Sequence, residues 1–470
     1  MEWIVRANRW LSELVFGPAT LLLLLGTGVI FTLRSSFFQL RHAGLWLRCT
    51  CLGALRGGKR RKKAGQQGIS PFEAMCTALA GTIGTGNIAG VATALAAGGP
   101  GAIFWMWLSA IFGAMTGFAE NTLGGLYRRR APDGGWNGGP MAYMQYGLGS
   151  RGLACVYAAL ALLASCGMGN LSQANSIAAS VKAAAGVPPL VTGCALAALT
   201  ALVLAGGVQR MARVAARLVP FMALLYLGGA LAVLWANAGR LPAAFAAIFK
   251  GAFGLRAGLG GFAGYGVMQA LRSGMARGVF SNEAGLGSSV LAHAASDLQD
   301  PVTMGMWSIF EVLADTLVVC TLTALVILTS GVYDPRLYAM ARGTDLFGLL
   351  ANGSVMTGNA FAAVLGQPGR QLVAVCLGLF AFSSILCWSQ YGERCIRWLR
   401  GGAAVMGYRV VFVLFVVLGS VMDLELVWQL ADTFNGLMAL PNLAALWLLG
   451  GEAIGALRRR LAGRSMAPDE

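Results

Sequence analysis

Runs of roughly 20 apolar residues recur along almost the whole chain, and that repetition leaves few architectures open. A run of that length crosses about 30 Å of hydrocarbon as an α-helix. In lipid the backbone must satisfy its own hydrogen bonds, so a spanning chain is either helical or a closed barrel. Here the runs are continuous and do not alternate with a period of two, which selects helices. We read roughly eleven spans, near 12–33, 70–98, 101–126, 152–184, 190–206, 218–237, 260–283, 303–330, 369–392, 404–421 and 427–449. Only 11% of residues are charged and 57% are hydrophobic, against about 25% charged in soluble domains. The first run is too long for the core of a cleaved leader, and no small-residue cleavage site follows it.

The net charge of +16 would suit a nucleic-acid binder, but its placement speaks for topology. The cations fall in short loops between spans. The densest set is Arg34, Arg41, Arg48, Arg56, Lys59, Arg60, Arg61, Lys62 and Lys63. Counted from Arg34 onward, alternate loops carry about 24 Lys or Arg and the opposite loops about nine, which places the N-terminus outside and the C-terminus in the cytoplasm. The expected location is a cell inner membrane, crossed many times. Two histidines, His42 and His293, are too few and too distant for a histidine metal site. The cysteines include no CxxC pair and fall mostly in spans, where they act as small apolar residues. We expect no nucleic acid, no resident cofactor and no obligate protein partner.

After the first span, ten remain, divisible into five and five. The expected units are 1–68 (an extra helix and a basic loop), 69–240 and 241–449 (two repeats) and 450–470 (a cytoplasmic tail). An odd number of spans per repeat inverts one repeat relative to the other. Glycine-interrupted spans at matching positions of two such halves point to a transporter's binding site. The second span holds "GTIGTGNIAG", Gly81 to Gly90, residues that propagate a helix poorly. Breaking a helix in mid-membrane frees carbonyls on one side and amides on the other, each costing several kcal/mol if left unpaired. Free carbonyls suit a small hard cation, and free amides at a helix start suit a carboxylate. The seventh span is also rich in glycine, with Gln269 a polar group facing the ligand and "SNEAGLGSS", Ser281 to Ser289, its cytoplasmic exit turn.

Ionisable residues inside spans are candidates for function. For Glu120 we expect an interfacial pair with Arg128. Glu283 is expected to cap a helix, pair with Arg277, or gate. Glu311 and Asp315, four apart on one helix face, are expected to pair with Arg272 or Arg277, or else to relay protons. "CGMGNLSQANSIA" gathers Gly169, Asn170, Gln173 and Asn175 in the fourth span. "FAFSSILCWSQYGERC" offers the hydroxyls of Ser383 and Ser384 and an aromatic wall at Trp388.

"GTIGTGNIAGVATALAAGGPGAIFWMW", "GGPMAYM", "GNLSQANS", "GVFSNEAGLGSS", "CWSQYGERC" and "NGLMALPNL" together resemble the alanine or glycine:cation symporter family, and the resemblance runs from the first span to the last. It implies an all-α fold of eleven spans, the last ten a leucine-transporter-like 5+5 inverted repeat behind one extra N-terminal helix. It implies sodium-coupled symport of small neutral amino acids, alanine, glycine or D-alanine, by alternating access. It places substrate contacts at Thr82, Gly84, Thr85, Gly86, Asn87, Gly169, Gln173, Gln269 and Trp388. It places sodium between carbonyls near Ala80 and Ile83 and the hydroxyls of Ser383 and Ser384. Departures from the family pattern occur at Ala142, Cys387 and Gln390. The rival readings are a proton-coupled amino-acid symporter and, from another class, an ion channel. An enzyme would need a nucleophile with its base or a metal cluster, and no such set stands out.

Overall fold

The computed structural model describes residues 17–53, 69–130, 136–254, 262–341 and 352–463, together with Asn8, Leu11, Ser12 and Val15. The run Arg56 to Lys63 and the tail beyond Gly463 lie outside the described residues. Almost all of the described chain is helix. We number the helices that build the site α1 Pro18–Arg34, α2 Pro71–Thr82, α3 Val91–Gly98, α4 Gly101–Tyr127, α5 Arg151–Cys166, α6 Ser172–Ala185, α7 Pro189–Leu204, α8 Gly207–Ala236, α9 Phe262–Asn282, α10 Ser288–His293, α11 Pro301–Leu313, α12 Thr321–Ser330, α13 Gly353–Leu365, α14 Gln367–Arg400, α15 Val405–Val421 and α16 Leu424–Leu461.

Among the described residues, seven continuous helical stretches are long and apolar enough to cross a membrane: α4, α5 with α6, α8, α11 with α12, α14, the stretch Gly402–Val421 that contains α15, and α16. A bent pair, Pro71–Thr82 with Gly86–Gly98, makes an eighth. Shorter apolar helices cover Ala19–Arg34, Pro189–Leu204 and Gly353–Leu365. The exterior is apolar, as lipid requires. Leu224, Leu231 and Trp235 of α8 and Leu414 of α15 are exposed. The polar side chains turn inward, among them Asn87, Glu120, Gln173, Glu283 and Asp315.

Local chemistry explains the ends. Helix α2 opens on a capping box, with Ser70 Oγ accepting from Glu73 N at 3.2 Å and Glu73 Oε2 accepting from Ser70 N at 2.8 Å. Pro71 takes the first position, where its missing N–H costs nothing. Small residues then let the long helices close on each other. A Cβ on Gly117 would lie 2.3 Å from Ser308 Oγ, and one on Gly305 2.4 Å from Thr122 Oγ1, so α4 and α11 meet backbone to side chain. At one end of the bundle a parallel bridge joins Ile69 to Ser296, tying the entry to α2 to the exit from α10. Beside it, β1 Arg129–Arg130 pairs antiparallel with β2 Trp136–Asn137, and Arg128 and Arg130 each lie 3.9 Å from the centre of the Trp136 ring.

Two helices stop inside the protein. The chain bends by 44° between α2 and α3, at Ile83 to Thr85, with Ile83 in a non-helical conformation. The other stop corrects the reading of the sequence. Helix α9 ends at Asn282, and Glu283 to Gly287 form a non-helical turn that is wholly buried before α10 resumes. "SNEAGLGSS" is therefore an interior break, not an exit turn. Three π-helical turns surround the two breaks, at Gly86–Gly90, Gly167–Leu171 and Ala314–Cys320; such turns recur at functional sites.

Candidate functional site

At the first break the freed backbone groups are met from two sides. Gly84 N donates to Asn87 Oδ1 at 2.9 Å, and Thr85 N donates to Gln173 Oε1 at 3.1 Å, across from α6. Gln173 is aimed by its own Nε2, which donates to Met168 O at 3.1 Å in the neighbouring π-turn. On the carbonyl side Ser384 Oγ reaches Ala80 O at 2.9 Å and Gly81 O at 3.4 Å. The Cys387 thiol donates to Thr77 O at 2.9 Å. Glycine is required at one point above all. A Cβ on Gly84 would lie 2.5 Å from Ser384 Oγ and 3.2 Å from Gln173 Oε1, on top of the place where the two sides meet. Thr85 Oγ1 is buried there without a hydrogen-bond partner, an orphan that a polar ligand would satisfy.

The second break is closed by carboxylates. Gly287 N donates to Glu120 Oε1 at 3.1 Å, and Asn442 donates to the same oxygen and, at 2.9 Å, to Gly285 O. Tyr157 OH donates to Leu286 O at 2.9 Å. Glu283, at φ +58°, accepts from Trp388 Nε1 at 3.0 Å and from Ser288 Oγ. Asp315 links the two breaks. Its carboxylate accepts from Asn87 Nδ2 at 2.6 Å, Ser281 Oγ at 2.7 Å and Thr316 Oγ1 at 3.0 Å. A buried carboxylate held only by neutral donors is stabilised by a proton or a cation. The oxygens of Asp315 and Ser281, and separately those of Ala80, Gly81 and Ser384, are among the groups able to hold a hard monovalent ion. Among the described residues no cluster of three His, Cys, Asp or Glu with metal-binding geometry occurs.

The structure brings most of the sequence-derived candidates together. Ala80, Ile83, Gly84, Thr85, Gly86 and Asn87 line the first break. Thr82 is buried one residue before Ile83, its hydroxyl 3.4 Å from Ala78 O and Leu79 O. Gln173 bonds directly to the break. Gly169 lets Trp388 in, since a Cβ there would fall 2.2 Å from Trp388 Cβ. Gly86 backs onto α9, where a Cβ would meet Ser281 Cα at 3.0 Å. Ser384 faces the carbonyls, whereas Ser383 donates to Phe380 O at 2.7 Å and lies 3.5 Å from Met222 Sδ. Gln269 is not brought in. It is half-buried, thirteen residues or about 20 Å of helix before the second break.

The expected ion pairs are replaced by others. Glu120 bonds to Asn442 and Gly287, and Arg128 donates instead to Ser296 O at 2.7 Å. Arg277 pairs with Asp432, so neither Glu283, Glu311 nor Asp315 takes it. Glu311 meets His293 Nε2 at 2.7 Å. Asp315, Ser281 and Glu283 stand at the centre, although the sequence reading left them outside the binding set. The available signal was the Gly285 and Gly287 pair within "SNEAGLGSS", a second interruption of the kind seen at Gly84 and Gly86.

The bent first break is the one read from the sequence motifs, and the buried second break joins it through Asp315 inside an apolar exterior. The sequence signature of the sodium:alanine symporter family covers residues 1–466. The chain belongs to that family. It is a membrane transporter and not an enzyme. The sodium/alanine symporter AgcS of Methanococcus maripaludis is 42% identical to this symporter over 458 residues, covering 97% of this chain and 96% of the relative. A transporter of Haemophilus influenzae is 42% identical over 438 residues, 93% of this chain and 91% of the relative. The fold resembles that of MhsT in complex with L-phenylalanine. The TM-score is 0.52 at 13% identity, covering 86% of this chain and 94% of that one, a likeness of fold alone. The symporter thus shares its helical architecture with that protein.

Proposed function

We propose that the symporter carries a small neutral amino acid, alanine, glycine or D-alanine, together with sodium, by alternating access. The observation that carries this reading is the geometry around Gly84. The backbone amides of Thr85 and Gly84 meet Gln173 and Asn87 on one side of the break, backbone carbonyls meet Ser384 on the other, and Thr85 Oγ1 is buried there without a partner. The amides of Gly84 to Asn87 would take the carboxylate of the amino acid, with Gln173 yielding its place on Thr85 N. Carbonyls and the amide side chains would take its ammonium. Trp388, packed against Gly169 and tied to Glu283, would wall off the side chain and favour small ones. Sodium would sit among Ala80, Ile83, Ser383 and Ser384, and Asp315 with Ser281 offers a second position for a cation.

The framework that goes with this is eleven spans in an inner membrane, N-terminus outside, with 69–240 and 241–449 as inverted repeats. Entry of one positive charge down 100 mV contributes about 2.3 kcal/mol toward concentrating the substrate. Uptake of labelled alanine into liposomes holding the purified protein tests the proposal. A sodium gradient should drive accumulation, and unlabelled glycine should compete. Accumulation driven by a proton gradient without sodium would instead assign the coupling to protons, through Asp315 or the His293–Glu311 pair.

A further inference from the structure

Gln390 stands two helical turns along α14 from Ser383, toward the Arg400 end. Its side chain is 1% exposed, and neither its amide oxygen nor its amide nitrogen has a hydrogen-bond partner. Buried amides are rarely left wholly unpaired, least of all in a span, where no bulk water competes for the bill. The packing shows what the amide faces. Gln390, Ser383 and Cys387 of α14, Thr77 and Ala80 of α2 and Ala215 of α8 wall a cavity of about 10 Å³. That is room for about one water-sized sphere, and an unhydrated sodium ion is smaller than a water molecule.

The polar atoms on its wall are suited to a cation. Thr77 Oγ1 donates its proton to Glu73 O at 2.7 Å, and Ser383 Oγ donates to Phe380 O at 2.7 Å. Both hydroxyls have spent their protons on their own helices and keep lone pairs free. The amide oxygen of Gln390 adds another acceptor. Ala80 connects this cavity to the break, since its carbonyl is the one that Ser384 Oγ reaches. Thr77 lies one turn before Ala80 toward the start of α2, and Gln390 lies toward the end of α14. The cavity therefore abuts the sodium position of the proposed function on the side where α14 ends.

We propose that Gln390 and Thr77, next to Ser383 of the sodium position, form a second cation station, which takes sodium as it leaves the break and passes it toward the side of the membrane on which α14 ends. The inference rests on the sodium-coupled reading above. The station lowers the cost of stripping sodium from the break, so it acts on release rather than on capture.

Two measurements on the full-length protein in liposomes separate release from capture. The first is net alanine uptake into a sodium-free interior. The second is alanine exchange with equal sodium on both sides, which needs no net sodium release and also reports that the protein is folded. Losing one neutral ligand should slow net uptake in Gln390→Leu about tenfold, with exchange near that of the unsubstituted protein. Gln390→Glu should hold sodium more tightly, so that internal sodium inhibits net uptake at about tenfold lower concentration. Equal loss of both activities in the two variants would assign Gln390 to packing or to a structural water and overturn the proposal, as would no change in either. Alanine exchange that proceeds without sodium in the unsubstituted protein would instead defeat the sodium-coupled reading itself.

Discussion

The two breaks solve the same problem in opposite ways. At Glu283 to Gly287 the protein supplies its own partners: Glu120 and Asn442 from α4 and α16 and Tyr157 from α5 close on the freed backbone, and Trp388 from α14 holds the Glu283 carboxylate. At Ile83 to Thr85 the partners are fewer and neutral, glycine clears the approach, and one hydroxyl is left over. The second break is held by many side chains, although Glu120 Oε2 keeps no partner, and acts as a joint; the first is held by few, with its approach cleared by glycine, and acts as a receptor. Buried polar groups cost most when their partner is deleted. Damage at the second break should therefore appear as lost stability, and damage at the first as lost transport.

The largest expected effect is at the second break. Glu120→Leu strands Gly287 N–H and the Asn442 amide, a loss of about 3 kcal/mol or more by the usual cost of orphaned buried donors. Thermal unfolding in detergent should show a markedly lower midpoint and poor yield. A variant with near-native melting and lost uptake would erase the distinction between joint and receptor. Next, Gly84→Ala should abolish alanine uptake while the folded protein persists, because the added methyl lies 2.5 Å from Ser384 Oγ. Near-normal uptake would place the substrate elsewhere. Third, Ser384→Ala should raise the sodium concentration for half-maximal uptake about tenfold, the worth of one lost ligand, with alanine affinity restored at saturating sodium. A shift in alanine affinity alone would move Ser384 to the substrate side. Smallest, Gln269→Ala should change uptake and melting by no more than a surface substitution, within about 0.5 kcal/mol. A loss of uptake in that variant would bring Gln269 back into the site.

Helices were legible because their causes are local. The apolar runs show in the composition and length of each segment. The first break was legible for the same reason, since Gly81, Gly84, Gly86 and Gly90 spoil a helix wherever they stand. The second was misplaced because "SNEAGLGSS" carries a carboxylate, and a charged turn reads as a surface. What makes it an interior turn is Trp388, 105 residues away, and Ser288 at its far end. The ion pairs failed in a similar way. Glu120 was matched to Arg128, eight residues on, but its partner Asn442 is 322 residues distant.

The amino-acid sequence by itself determined that this chain lives in lipid as a set of helices, one of which cannot stay helical near Gly84. It also determined the family, because both follow from side-chain type and order along the chain. Only the tertiary structure decided which partner each buried polar group finds. Hydrogen-bond satisfaction is a requirement of the whole interior, and a carboxylate such as Glu283 or Asp315 acquires its meaning from the helices packed around it.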